Sequence, residues 1–90
     1  MVRLVPDAGV LVEYIVSRSP RRLKVARLLD KASTGELELY VSAVTLSEVL
    51  YVASRVYQVA GVSDPNGESL VFVDWVKSRA RVIDVLSLIH

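Results

Sequence analysis

Val41-Ser42-Ala43-Val44-Thr45-Leu46-Ser47-Glu48-Val49 is the stretch on which the reading of this chain turns. It starts at the end of a run, Glu38 to Val41, that suits a strand, and it passes without a linker into the clearest helical pattern in the sequence. Leu46, Val49, Leu50, Ala53, Tyr57 and Ala60 recur at the spacing of one helical face and stop at Gly61. A strand running straight into a long amphipathic helix is the unit from which parallel α/β sheets are built.

The flanking sequence repeats that unit on both sides. Upstream, Val2 to Val5 is a short apolar run stopped by Pro6, as a strand would be. Asp7 then stands as an N-cap for a helix over Ala8 to Val16, with Leu11, Val12, Ile15 and Val16 on one face. Ser17-Arg18-Ser19-Pro20 interrupts it, with Ser19 as the next cap and Pro20 at the first helical position. Val25, Leu28, Leu29 and Ala32 then mark a second helix that Gly35 closes, with Lys24, Arg27 and Lys31 on a different face. Downstream, Asp64-Pro65-Asn66-Gly67 has the chemistry of a turn. Ser69 to Ala80 reads as a fourth helix with Val73, Val76 and Ala80 at core spacing and Trp75 beside them, and Arg81 to Val85 as a third strand. The order β-α-α-β-α-α-β predicts an α/β fold: a three-layer α/β/α domain over residues 1–90 with a parallel sheet and right-handed crossovers. Such a sheet usually continues past three strands, so the unit reads as C-terminally incomplete, with the apolar tail Leu86 to His90 left over.

Composition narrows the function classes. Ninety residues make one domain, yet 52% are hydrophobic, the mean hydropathy is +0.41 and eighteen are valine. Such a chain buries β-branched residues on both faces of a sheet, or hides surface in a partner. The absence of cysteine excludes disulfide scaffolds and thiolate zinc sites, and a single histidine, His90, excludes a histidine-based triad. The longest uncharged run is nine residues, Leu39 to Ser47, and the N-terminus lacks signal-peptide architecture, so a soluble, cytoplasmic protein with no membrane contact is expected. One methionine, Asn66 as the lone asparagine and Gln58 as the lone glutamine point toward a thermophilic source. Charge is unevenly spread: Arg18, Arg21, Arg22, Lys24, Arg27 and Lys31 face only Asp30, a basic segment on an otherwise acidic body.

In open parallel sheets, ligands bind beyond the carboxyl ends of the strands. Asp7 follows the first strand directly, and Glu48 lies early in the helix after the second, with Ser42 just behind that strand's end. Two converging carboxylates without histidine or cysteine suit a hard divalent cation, Mg²⁺ or Mn²⁺, of the kind that activates water and stabilises charge in phosphodiester cleavage. At these two places the sequence resembles a known family. Val5-Pro6-Asp7-Ala8-Gly9-Val10-Leu11-Val12 is similar to the opening strand–Asp–helix motif of PIN domains, and Val41 to Val49 to the family's second motif, a strand followed by a helix bearing the second acid. The resemblance implies a metal-dependent ribonuclease on an α/β/α fold, with Asp7 and Glu48 as metal ligands and catalytic acids, Ser42 as a polar group supporting them, and RNA as substrate. It also allows the toxin of a toxin–antitoxin pair, VapC-like, with an antitoxin partner. The sequence departs from the family at Gly9, where a serine or threonine is frequent. The third and often fourth acids come from elements beyond the third strand; Asp84 matches no motif position.

Plainer roles stand beside these. Asp7 can simply cap the first helix. Thr45-Leu46-Ser47-Glu48 has the form of a capping box in which Glu48 reaches back to the Thr45 N–H. Ser42 can be a polar filler. Arg21, Lys24, Arg27 and Lys31 can steer RNA phosphates, meet an acidic partner, or be a solvated face. Tyr51, Tyr57, Phe72 and Trp75 read most simply as core or interface. Asp64 reads as a turn or cap residue. The functional alternative to an enzyme is a catalytically inactive PIN-like module that binds or forms a homodimer, for instance through an unpaired third strand.

Overall fold

The computed structural model describes residues 2–16 and 19–83. The elements run β1 (Val2–Leu4), α1 (Ala8–Val12), α2 (Arg22–Ser33), β2 (Leu37–Ser42), α3 (Ala43–Val59), α4 (Pro65–Lys77) and β3 (Arg81–Ile83). The three strands form a parallel sheet in the order β1-β2-β3. Leu4 stands opposite Leu39 on one side of β2, and Ser42 opposite Ile83 on the other. The parallel α/β architecture expected from the sequence is the one observed.

The core explains why the central strand alternates. Leu37, Leu39 and Val41 are buried, whereas Glu38 and Tyr40 between them are only half-buried. The buried set joins a single apolar cluster with residues from all four helices, among them Leu11, Leu29, Val49 and Val76, each fully shielded from water. Burying each of these side chains is worth roughly 1.5–3 kcal/mol, so the cluster holds the helices to one another and to the Leu37–Leu39–Val41 side of the sheet. The opposite side carries Arg3, Glu38, Tyr40 and Arg81, none of which joins that cluster.

Several element boundaries differ from expectation, each for a local reason. Helix α1 stops at Val12 instead of Val16, because Tyr14, Ile15 and Val16 donate to the carbonyls three residues back, as in tight turns. Two contacts hold the chain off the helical path there: the Tyr14 ring stacks on Trp75 at 4.8 Å, and Arg22 Nε donates to the Tyr14 carbonyl at 3.0 Å. Helix α2 starts at Arg22, with Arg21 at the cap position and no side-chain cap. Ser19 instead accepts from the Arg21 N–H and donates to Glu13, so it shapes the turn before the helix. Helix α4 begins four residues earlier than expected. The Asp64 carboxylate accepts from the Gly67 N–H and Pro65 takes the first turn, which makes Asp-Pro-Asn-Gly a helix start rather than an isolated turn. A Cβ at Gly67 would collide with that carboxylate. Gly35 and Gly61 close α2 and α3 as expected, each at φ near +80°, with the following N–H bonded five residues back. Val85, Asp84, Arg18 and His90 lie outside the described residues.

Candidate active site

Three residues past Leu4 and Leu39, the last pair between β1 and β2, stand Asp7 and Ser42, so the two strands deliver them to the same edge of the sheet. Both do the same job there. Asp7 (φ −83°, ψ 171°) caps α1 by accepting from the Val10 N–H, and Ser42 (φ −87°, ψ 161°) caps α3 by accepting from the Thr45 N–H. The two helices pack against each other. The chain has therefore built matching strand–cap–helix corners side by side, and α1 and α3 start from the edge where parallel sheets bind ligands.

Asp7 is exposed, and its Oδ1 is held by the Val10 N–H at 2.8 Å. Its second oxygen has no hydrogen-bond partner among the described residues. Glu48 lies six residues beyond the α3 cap, is exposed, and forms no hydrogen bond or ion pair among the described residues. The capping-box role for Glu48 is thereby corrected: the helix starts one turn earlier, with Ser42 at the cap and Thr45 at its third position. The Ser42 hydroxyl, buried at 4% exposure, also donates to Thr45 Oγ1 at 3.1 Å. The ladder of β2 ends at Ser42 and α3 begins at Ala43, so Ser42 is the residue between strand and helix and takes the cap ahead of Thr45. Ser42 acts by fixing the first turn of the helix that carries Glu48.

The donor chemistry of Asp7 and Glu48, carboxylate oxygens with unused lone pairs, fits a hard divalent cation. Among the described residues, no group of three or more acidic, histidine or cysteine side chains gathers into a ready-made cage. On α2, Arg21, Lys24, Arg27 and Lys31 are all exposed and none is ion-paired among the described residues. Arg22, also exposed, differs: it lies against the Tyr14 ring and donates to the Tyr14 carbonyl.

Two arrangements escape the sequence reading. On the side of the sheet opposite that cluster, Glu38 accepts from the Tyr40 hydroxyl and pairs with Arg3 at 3.5 Å. That hydrogen bond, with Arg81 and Arg3 nearby, holds the Glu38 carboxyl below its ordinary range, and the same bond raises the Tyr40 phenol. The polar–apolar alternation of β2 is the signal that could have revealed it. Near the end of α4, the Arg79 guanidinium lies 3.9 Å over the Trp75 ring, donates to the Trp75 carbonyl and Ser78, and leaves its buried Nε without a partner among the described residues. Phe72 and Trp75 belong to an aromatic stack with Tyr14, as core residues, whereas Tyr51 is 63% exposed.

A family model for the PIN domain matches residues 4–89. No curated protein and no solved structure matches the chain.

Proposed function

The chain belongs to the PIN domain family, and from that premise we propose that it is a divalent-metal-dependent endoribonuclease in which Asp7 and Glu48 hold Mg²⁺ or Mn²⁺. The fold is of nuclease type, and PIN domains are generally dependent on divalent metal. The observation that carries the reading is Glu48: an exposed carboxylate without a hydrogen bond or ion pair among the described residues, on the helix that springs from the same sheet edge as Asp7. A cation bound there would supply charge stabilisation at the phosphate and a water of lowered pKa.

The chain's own residues set up that site in definite ways. The Val10 N–H fixes the Asp7 carboxylate through one oxygen and leaves the other available. Ser42 and Thr45 lock the first turn of α3, so Glu48 projects from a rigid helix rather than a loop. Two carboxylates leave most positions of a hard cation to water or to further oxygens. The free cations of α2, Arg21, Lys24, Arg27 and Lys31, draw single-stranded RNA by its phosphates. Within the same reading, a toxin role would give that basic stripe a second use, as the surface for an acidic antitoxin segment.

The test is cleavage of single-stranded RNA by the full-length protein with Mn²⁺. Asp7→Asn and Glu48→Gln are each expected to lower the rate at least ~100-fold, the cost of losing one charge-stabilising group. Removal of metal by EDTA is expected to abolish it. Unchanged cleavage in either variant overturns the assignment.

A further inference from the structure

Among the described residues Tyr51 is the one exposed aromatic, and it stands beside a candidate metal ligand. Tyr14, Phe72 and Trp75 stack on one another, and Tyr40 and Tyr57 are half-buried. Tyr51 follows Glu48 by three positions on α3, a spacing that makes the two side chains neighbours on the helix surface. Both line a shallow groove of about 390 Å³, to which Val44 and Val52 add apolar surface. The Arg55 guanidinium lies over the Tyr51 ring at 5.9 Å, and one of its nitrogens donates to the Tyr51 hydroxyl at 3.4 Å. The guanidinium takes one face of the ring, and no other described ring stacks on Tyr51. Arg55 forms no ion pair among the described residues.

We propose that Tyr51 is the platform on which an unpaired base of the substrate strand stacks, beside the phosphate presented to Asp7 and Glu48. The proposal rests on the reading of single-stranded RNA as substrate and adds to it the residue that holds a base. A flat π-face, an apolar floor and a cation in one groove match a nucleotide, in which a flat base is joined to an anionic phosphate. The base takes the open face of the ring and Arg55 keeps the other, a layered order in which the cation strengthens the stack. Arg55 lies about 10 Å along the helix from Glu48, so its remaining N–H groups meet a further phosphate of the same strand. Stacking reads no base edge, because every base has a π-face. Tyr51 therefore selects strands whose bases are unpaired and leaves the choice of sequence to other residues.

Fluorescence anisotropy of the full-length protein with a labelled single-stranded RNA, in EDTA to keep the strand intact, tests the contact. The comparison strand has the same length and phosphates but abasic sugars throughout. Tyr51→Ala is expected to weaken binding of the base-bearing strand at least ~5-fold and binding of the abasic strand less than ~2-fold. Tyr51→Phe, which keeps the ring, is expected to bind both strands within ~2-fold of wild type. Tyr51→Leu, apolar but without a π-face, is expected to lose as much as Tyr51→Ala and serves in its place if that variant does not fold. Equal losses on the two strands would assign the ring to packing or to a protein partner and overturn the proposal, as would no loss on either. A wild-type chain that binds neither strand would overturn the RNA reading together with it. Cleavage by Glu48→Gln decides the metal role without reference to binding, so the two readings fail separately.

Discussion

Helices α2 and α3 present the same kind of face to the core and opposite kinds to the outside. Inward, α2 buries Val25 and Leu29, and α3 buries Leu46, Val49 and Ala53, all in one cluster with the central strand. Outward, α2 shows Arg21, Lys24, Arg27 and Lys31, whereas α3 shows Val44, Tyr51, Val52 and Val59 with Glu48 and Arg55 among them. The inner faces follow from the fold alone. The outer faces do not: both are exposed, one charged and one largely apolar, and neither is needed to close the core. The contrast teaches where to look for function, because the core leaves each outer face free to differ.

The largest expected effect lies on the inner faces, where the two helices should behave alike. Leu29→Ala and Val49→Ala each remove a fully buried side chain, and thermal or urea unfolding is expected to show losses of about 2–4 kcal/mol. A loss below ~1 kcal/mol at Leu29 would mean that α2 is not docked as described. Next comes Ser42→Ala, which frees the first turn of α3 and exposes the difference between a helix with a side-chain cap and one without. A loss of about 1 kcal/mol is expected from unfolding, with no counterpart for Arg21→Ala at the uncapped start of α2.

Smaller in stability, and more telling about function, is charge reversal on the outer face of α2. Lys24→Glu with Arg27→Glu and Lys31→Glu should leave unfolding within ~0.5 kcal/mol per site, since all three are exposed. The same triple variant should lower the salt dependence of single-stranded RNA binding by a slope of about 2, at ~0.7 per lost phosphate contact. An unchanged slope would make the stripe a solvated face and nothing more. The smallest effect belongs to the side of the sheet that neither helix covers. Glu38 is held below its ordinary pKa by the Tyr40 hydroxyl, so its contribution is present above the usual carboxylate range and is lost as pH falls through the lowered value. Tyr40 is raised by the same bond, so its contribution is present below its ordinary pKa and is lost as pH rises through the raised value. Tyr40→Phe is expected to flatten both limbs of the stability–pH profile; a profile identical to wild type would mean the bond does not persist in solution.

The sequence disclosed the architecture because the signals for it are redundant. Apolar periodicity, Pro6 after the first strand, and Gly35 and Gly61 at helix ends all agree with one β-α-α-β-α-α-β order. It disclosed less of the helix starts, because neighbouring residues offer competing caps. Ser42 and Thr45 can each cap, three residues apart, and only the pairing of β2 through Ser42 selects between them. Asp64-Pro65-Asn66-Gly67 carries the marks of a turn and of a capped helix at once; the glycine that argues against a helix is there to clear the Asp64 carboxylate. The early end of α1 goes with contacts Tyr14 makes outside its own helix, to Arg22 and to the sequence-distant Trp75, so no pattern within the helix could announce it. At the candidate site, Asp7 and Glu48 were legible as acids placed after strands, but the freedom of Glu48 from capping was not, since that depends on where α3 begins.

The most direct test of the central claim is Mn²⁺-dependent cleavage of single-stranded RNA by the full-length protein, with Glu48→Gln measured beside wild type and folding of both verified by circular dichroism. Because Glu48 supports no part of the fold among the described residues, the account predicts an equally folded variant with cleavage reduced at least ~100-fold. A folded Glu48→Gln chain that cleaves at the wild-type rate would contradict it.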